Sequence, residues 1–315
     1  MRVLVTGAAG FLGRHVARAL AARGDHVVGI DTRPQDGLDG VEAVLGDVTD
    51  RSLPVRPAMS GADALVHLAA IASPRECEAD PAAAFDVNVR GTYEMLRLAM
   101  RIGAGRFVLA STAHCYGIPP QSVPTHEGCP CRPHDTYAVT KILAERVCGL
   151  FAETHGMAVA VLRLYNGYGP GQAAGYFVPD MIAQARAGAV RLVGSDVTKD
   201  FLYVDDMVRA IVAATSAAHV GVVNVGSGTE TSLESAAGHI AMRLGVPFHA
   251  QPSGIPSRML CDTRLATAAL DGWRPLWSLD DGLHATILAA CGRGDGGLAF
   301  VTRQDQCEEA PRAKA

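Results

Sequence analysis

The chain has 315 residues, of which 49% are apolar and 19% charged, enough to bury a sizeable core and too apolar for a mainly disordered chain. Lys and Arg number 28 against 32 Asp and Glu, a net charge of -4, which leaves no electrostatic footprint for nucleic acid or an anionic membrane surface. The longest uncharged stretch, residues 210–229, is broken by Thr215, Ser216, His219, Asn224 and Ser227, so no membrane span is expected. The first residues carry one basic side chain, Arg2, and then a Gly-rich turn, without the apolar run of a signal peptide. Eight cysteines follow no disulfide or CxxC spacing, and Cys129-Pro130-Cys131 is too tight for a zinc knuckle. A reduced, cytoplasmic protein without a bound metal is the expectation.

In chain order, residues 2–6 (RVLVT) read as a strand running into a Gly turn, and residues 11–23 as an amphipathic helix with Leu12, Val16, Ala19 and Leu20 on one face. Strands follow at residues 26–31, 41–45 and 64–68. Pro54 and Pro57 leave room only for a short helix between residues 50 and 60. One long helix is predicted over residues 81–101, a strand at 106–110, a helix at 136–154 and a strand at 158–164. Alternation of nearly continuous apolar strands with helices predicts an α/β fold, a Rossmann-type doubly wound parallel sheet covered on both faces. This dinucleotide-binding domain spans residues 1–165. Beyond it, Pro170, Gly171, Gly175 and Pro179 loosen the pattern, with helices expected at residues 178–187, 205–217 and 231–244, the last opened by a capping box from Thr231 to Glu234. Residues 166–291 therefore read as a smaller, mixed α/β substrate lobe, and residues 292–315 as a flexible tail.

Gly7, Gly10 and Gly13 join the first strand to the first helix. Glycines there let the backbone approach a pyrophosphate, and the helix N-terminus supplies N–H groups and a favourable dipole. Asp31 ends the second strand, where a carboxylate accepts from both ribose hydroxyls and favours NAD. Arg33 beside it could instead pair with a 2′-phosphate. Asp47 and Val48 close the third strand, where an adenine could be bounded. The fourth ends in His67, Leu68, Ala69 and Ala70, whose small residues would let a ribose and nicotinamide pass; His67 itself reads as a core histidine.

Tyr137 and Lys141 share one face of a helix at i and i+4. An ammonium beside a phenol favours phenolate, which can take a proton from an alcohol as hydride leaves. Thr112, 25 residues before Tyr137, ends the fifth strand and could bond the same substrate oxygen. Ala113 and His114 come next; His114 is either a general acid or a loop residue, and Cys115 a small core filler.

The chain resembles the extended short-chain dehydrogenase/reductases, in particular the NAD-dependent nucleotide-sugar epimerase/dehydratase group and UDP-glucose 4-epimerase-like members. The resemblance runs over residues 1–290 and rests on TGAAGFLG, Asp31, Asp47-Val48, HLAA, Asn88-Val-Arg-Gly-Thr92, STAHCYG, YAVTK, RLYNGYGPG, KDFLYVDD, NVGSG and GWRP. It implies Thr112, Tyr137 and Lys141 as catalytic residues. It implies an NAD site of Gly7, Gly10, Phe11, Leu12, Asp31, Arg33, Asp47, Val48, Leu68, Ala69, Ala70, Asn88, Tyr137 and Lys141, with Asn88 under the active-site helix. It places Thr112, His114, Asn166, Phe177, Val178, Leu192, Lys199 and Arg258 against a nucleotide-diphosphate sugar, a UDP-sugar first among them. Lys199 stands where relatives carry Arg, keeping the charge without the bidentate fork. Pro252-Ser-Gly-Ile255 lacks the Arg and Asp of several UDP-sugar epimerases. Dehydratases of this group place acidic residues after the catalytic Thr, and here Ala113 and His114 stand instead. The expected reaction is therefore 4-epimerisation through a transient 4-keto sugar, in a homodimer built by pairing the helices at 81–101 and 136–154. Dehydration, uronate decarboxylation and 4-ketoreduction are the alternatives on the same scaffold, and a non-catalytic NAD(H) sensor is the remote one.

Overall fold

The computed structural model describes residues 1–117 and 123–292, so the tail expected at 292–315 lies, but for its first residue, outside the described residues. In chain order the elements are β1 (Arg2–Thr6), α1 (Phe11–Ala22), β2 (His26–Asp31), β3 (Val41–Leu45), β4 (Ala64–His67), α2 (Pro74–Ala79), α3 (Pro81–Phe85), α4 (Gly91–Ile102), β5 (Arg106–Thr112), α5 (Thr136–His155), β6 (Ala158–Leu164) and β7 (Asn166–Tyr168). They continue with α6 (Phe177–Arg186), β8 (Val190–Val193), β9 (Thr198–Tyr203), α7 (Val204–Ala214), β10 (Gly221–Val225), β11 (Glu230–Ser232), α8 (Leu233–Leu244), β12 (Phe248–Gln251), α9 (Arg264–Ala269) and α10 (Leu279–Ala290).

Seven strands form one parallel sheet in the order β10-β6-β5-β4-β1-β2-β3. Val3, Leu4 and Val5, and Leu65, Val66, Phe107 and Val108, are fully buried, as strands must be when helices cover both faces. Leu4, Leu65 and Phe107 pack with α4 and α5, whereas Val3, Val5, Val66 and Val108 join a core continuous with the C-terminal elements. The seventh strand, β10, comes from residues 221–225, so the segment 166–291 also completes the nucleotide-binding sheet. A single cut at 165 therefore does not separate two layers of structure.

The helix predicted over 81–101 is interrupted. Between α3 and α4 the chain makes a π-helical turn at Asp86–Arg90. The turn carries Asn88, whose buried amide bonds Ile71 and Thr140, and widened turns of this kind recur where a helix must aim a side chain inward. Helix α2 was not predicted; Ser73 caps it by accepting from the Glu76 amide, and Pro74 opens it. In the second lobe the missed strands have three to six residues and form a three-stranded sheet, β11-β9-β7, and a parallel pair, β12-β8. Strands of three or four residues carry too little alternation to be read. Ser232, not Thr231, caps α8, its hydroxyl accepting from the Ser235 amide, because Thr231 belongs to β11.

Candidate active site

Gly7 turns the chain out of β1 at φ +71° and donates to the Ile30 carbonyl at 2.8 Å. A Cβ on Gly7 would lie 2.7 Å from the Ala69 nitrogen, and one on Gly13 2.0 Å from the Gly7 oxygen. The Thr6 hydroxyl holds the ends of β1 and β4 together, 2.7 Å from His67 Nδ1 and accepting from Leu68 and Ala69 amides at 3.2 and 3.3 Å. His67 is buried, and burial lowers it to about 3, so it stays neutral. Asp31 folds its carboxylate onto the Gly-rich turn, accepting from the Ala9 amide and from the Arg33 amide, both at 2.9 Å. The Arg33 guanidinium is mostly exposed and only 3.5 Å from the same carboxylate. Asp47 accepts from Thr49 N and Oγ1 and is exposed, while Val48 is buried against Gly91. Phe11, Leu12, Leu68, Ala69 and Ala70 are half-buried around this end of the sheet. A turn closed to Cβ atoms, a helix N-terminus, and a carboxylate at the tip of β2 together fit an NAD molecule.

Thr112 ends β5, where its side chain acts on the Tyr137 phenol, and its Oγ1 accepts from the His114 amide at 3.2 Å. Asp135 caps α5 by accepting from Ala138 N at 2.7 Å, which starts the helix where Tyr137 and Lys141 fall on one face. Burial raises the Tyr137 phenol, the Thr112 hydrogen bond opposing it. Lys141 is 4% exposed, and burial lowers it from 10.5 to about 8. His114 sets its ring edge-on to Tyr137 at 6.1 Å and stacks with His134 at 6.2 Å. Its Nδ1 lies 3.8 Å from Asp135 Oδ2. The resemblance puts Asn88 in the NAD set; here its side chain is spent on Ile71 and Thr140, so it holds α5 in place rather than offering an amide to the cofactor.

The lowered Lys141 has a stability consequence. Its folded value lies below 10.5, so the charge is disfavoured in the fold. That cost is full below about pH 8 and disappears as pH rises towards the unfolded value. Lys141→Met in the NAD-free protein is expected to stabilise the fold at pH 7 by about 3 kcal/mol and to lose turnover. Thermal melts at pH 7 and pH 10 check this; the gain must shrink at pH 10, and a variant melting below wild type at pH 7 would refute it.

In the second lobe, Asn166 donates to the Asp200 carbonyl at 3.0 Å, and Phe177, half-buried at the start of α6, lies 5.5 Å from the Phe201 ring. Val178 and Leu192, expected at the nucleotide, are 2% and 5% exposed and serve the core instead. The two expected cations are not equivalent. Arg258 is paired through both ends of its fork with Glu230, at 2.7 and 2.6 Å, and Glu230 also accepts from Thr198 Oγ1 at 2.6 Å. Strand alternation puts Lys199 on the opposite face of β9 from Thr198. Lys199 is half-buried, has no acidic partner among the described residues, and is lowered by burial alone. Asp196 fastens the turn at Ser253 and Gly254, accepting from both amides and from the Ser253 hydroxyl.

A buried network ties Glu145, outside the motifs, to Ser111, Tyr116, Arg163 and Asn224, inside them. Glu145 pairs with Arg163 through Oε1 at 3.1 Å and Oε2 at 2.7 Å, and accepts from Ser111 at 2.5 Å. Arg163 donates to Tyr116, and Tyr116 to Asn224. The one sequence signal of Glu145 is spacing, because it follows Lys141 on the helix face that begins with Tyr137.

A parallel sheet with a Gly-rich first turn, and a Thr facing a Tyr-x-x-x-Lys helix, define an extended short-chain dehydrogenase/reductase. Residues 3–226 match the NAD dependent epimerase/dehydratase family. The chain belongs to that family of nucleotide-sugar epimerases, dehydratases and decarboxylases, and NAD is its cofactor. It is 33% identical over 303 residues to UDP-glucuronic acid decarboxylase 1 of Xenopus tropicalis, covering 91% of this chain and 71% of that one. It is 32% identical over 308 residues to UDP-glucose 4-epimerase of Mycolicibacterium smegmatis, covering 91% and 97%. Among solved structures, MoeE5 in complex with UDP-glucuronic acid and NAD superposes with a TM-score of 0.83 at 29% identity, covering 93% of this chain and 100% of that one. No helix among the described residues is long and apolar enough to cross a membrane.

Proposed function

We propose that the protein interconverts nucleotide-diphosphate sugars, UDP-sugars first, by epimerising C4. The observation that carries this reading is Thr112 set beside the buried Tyr137 phenol and followed by Ala113 and His114, with no carboxylate directly after it. Tyr137 takes the proton from the C4 hydroxyl, and Thr112 bonds the same oxygen. Lys141, one helical turn from Tyr137, would favour the phenolate and touch the cofactor. Gly7, Gly10, Phe11, Leu12, Asp31, Val48, Leu68, Ala69 and Ala70 would seat NAD, which would supply a reversible hydride acceptor for C4. Tyr137 then gives the proton back to oxygen, so neither proton nor redox balance changes.

Asn166, Phe177 and Lys199 hold the nucleotide while the 4-keto sugar turns. Lys199 is the principal cation for the diphosphate, since Glu230 already occupies Arg258. Lys199→Ala is expected to raise KM about 10- to 100-fold, the worth of a charged hydrogen bond, with kcat little changed. Arg258→Ala should change KM less. Steady-state kinetics on both variants test the ranking, and an equal or larger effect at Arg258 would reverse it.

A second reading, decarboxylation of a uronate, is favoured by the 33% identity to UDP-glucuronic acid decarboxylases. Incubating the purified protein with UDP-glucose, UDP-galactose and UDP-glucuronic acid, without added cofactor, separates the readings. An isomer of unchanged mass supports epimerisation. Loss of carbon dioxide supports decarboxylation, loss of water dehydration, and turnover only with added NADH or NADPH a ketoreductase.

The homodimer belongs to the same proposal. Phe85 and Tyr93 before and on α4, Met100 on α4, and Leu143 and Leu150 on α5 are large apolar side chains left exposed. Pairing these helices about a two-fold axis would cover them. Light scattering should give the mass of two chains, and a single-chain mass would refute the pairing.

A further inference from the structure

Cys115 lies in the tight turn Ala113–Tyr116 that follows Thr112, and it is fully buried. Cys131 lies in the Pro-rich segment that leads to Asp135, the cap of α5, and it is half-exposed. The two segments are stitched together. The Arg132 amide donates to the Cys115 carbonyl at 2.8 Å, and a Cβ on Gly117 would lie 2.7 Å from the Arg132 oxygen, so only glycine admits that carbonyl. The two side chains pack in one small cluster with Tyr116 and Tyr165, and each acts on the other's thiol. The Arg163 guanidinium acts on both, Arg146 acts on Cys131, and Glu145 opposes them. Two thiols in contact, one within reach of solvent and both near a cation, form a reactive thiol environment. Neither group has a part in the sugar chemistry described above.

We propose that Cys115 and Cys131 are a redox-active dithiol site that closes to a disulfide beside the catalytic strand, with a small-molecule disulfide as its oxidant. The Cys131 thiolate attacks one sulfur of oxidised glutathione, breaking its S–S bond and releasing one glutathione thiolate, which takes up a proton. Cys115, losing its proton to solvent, then attacks the Cys131 sulfur of the mixed disulfide and releases the second glutathione. The two protein thiols lose two electrons and two protons; glutathione disulfide gains them. Cys131 is suited to the first step, because it is the more exposed of the two thiols and the neighbouring Cys115 lowers it despite its partial burial. A disulfide holds its sulfurs about 2.0 Å apart, closer than two thiols in contact. Closure therefore draws the turn after Thr112 towards the segment that starts α5, and shifts Thr112 against Tyr137.

The test uses the purified, NAD-loaded protein incubated with oxidised glutathione. Alkylation, proteolysis without reductant and mass spectrometry should find a Cys115–Cys131 cross-linked peptide that dithiothreitol removes. Cys131→Ser should give no such peptide, bind NAD as wild type does, and keep its turnover in the oxidant. Wild-type turnover should fall about tenfold or more on oxidation, the scale of a sub-ångström misplacement of reacting groups, and recover on reduction. Glutathione left on Cys131 without a cross-link, or a bond to Cys129 instead, would overturn the site. A cross-linked protein with unchanged turnover would overturn its coupling to catalysis. Neither result depends on which reaction the enzyme performs on its sugar.

Discussion

Tyr137→Phe is expected to lower turnover by about three orders of magnitude, within the range that a positioned acid–base group supplies, while NAD binding and the fold persist. The substitution removes one hydroxyl. The ring keeps its edge-on contact with His114, and the helix keeps its Asp135 cap. What is lost is the phenol oxygen beside Thr112 that takes the substrate proton. Thr112→Val removes only the second partner of that oxygen, so its loss should be smaller. Steady-state turnover with resident NAD, set beside the NAD content of each variant, decides the matter. A Tyr137→Phe enzyme with wild-type kcat would remove the phenol from the chemistry, whichever product the enzyme makes.

The site was readable where the chemistry is written in local spacing. Gly7 and Gly13 must be glycines because their Cβ positions are taken by the Ala69 backbone and by the Gly7 carbonyl, and Gly10 sits tightly against the same carbonyl. Tyr137 and Lys141 are one helical turn apart, and the strands that carry Asp31 and Thr112 are continuous apolar runs. Such signals need no knowledge of distant neighbours. The second lobe was less readable. Its strands are short, and β9 pairs with β7 and with β11 across 30 to 35 residues of sequence. Val178 and Leu192 looked like pocket residues by position, but only packing reveals that they face the core. Arg258 and Lys199 are both cations in sequence; the pleat of β9 and the Glu230 partner set them apart. The π-helical turn at Asn88 was hidden because apolar residues still recur at helical spacing on both sides of it.

Glu145 is where the unreadable part touches catalysis. Glu145 and Arg163 have side chains 7% and 8% exposed. Removing one charge therefore leaves the other buried without compensation. Glu145→Gln is expected to destabilise by about 3–5 kcal/mol, a fall in Tm on the order of 10 °C for a chain of this size. Glu145→Leu combined with Arg163→Met should recover most of that loss, because two apolar groups need no partner in a dry interior. The same carboxylate opposes the lowering of Lys141. In the Gln variant the ammonium therefore gives up its proton at a lower pH than the about 8 of the parent. The alkaline limb of kcat/KM should move to lower pH with it. A purely structural role would lower Tm and leave that limb in place. A Gln variant melting within a degree or two of wild type would show instead that Arg163 finds another partner, Tyr116 being the one already at 2.8 Å.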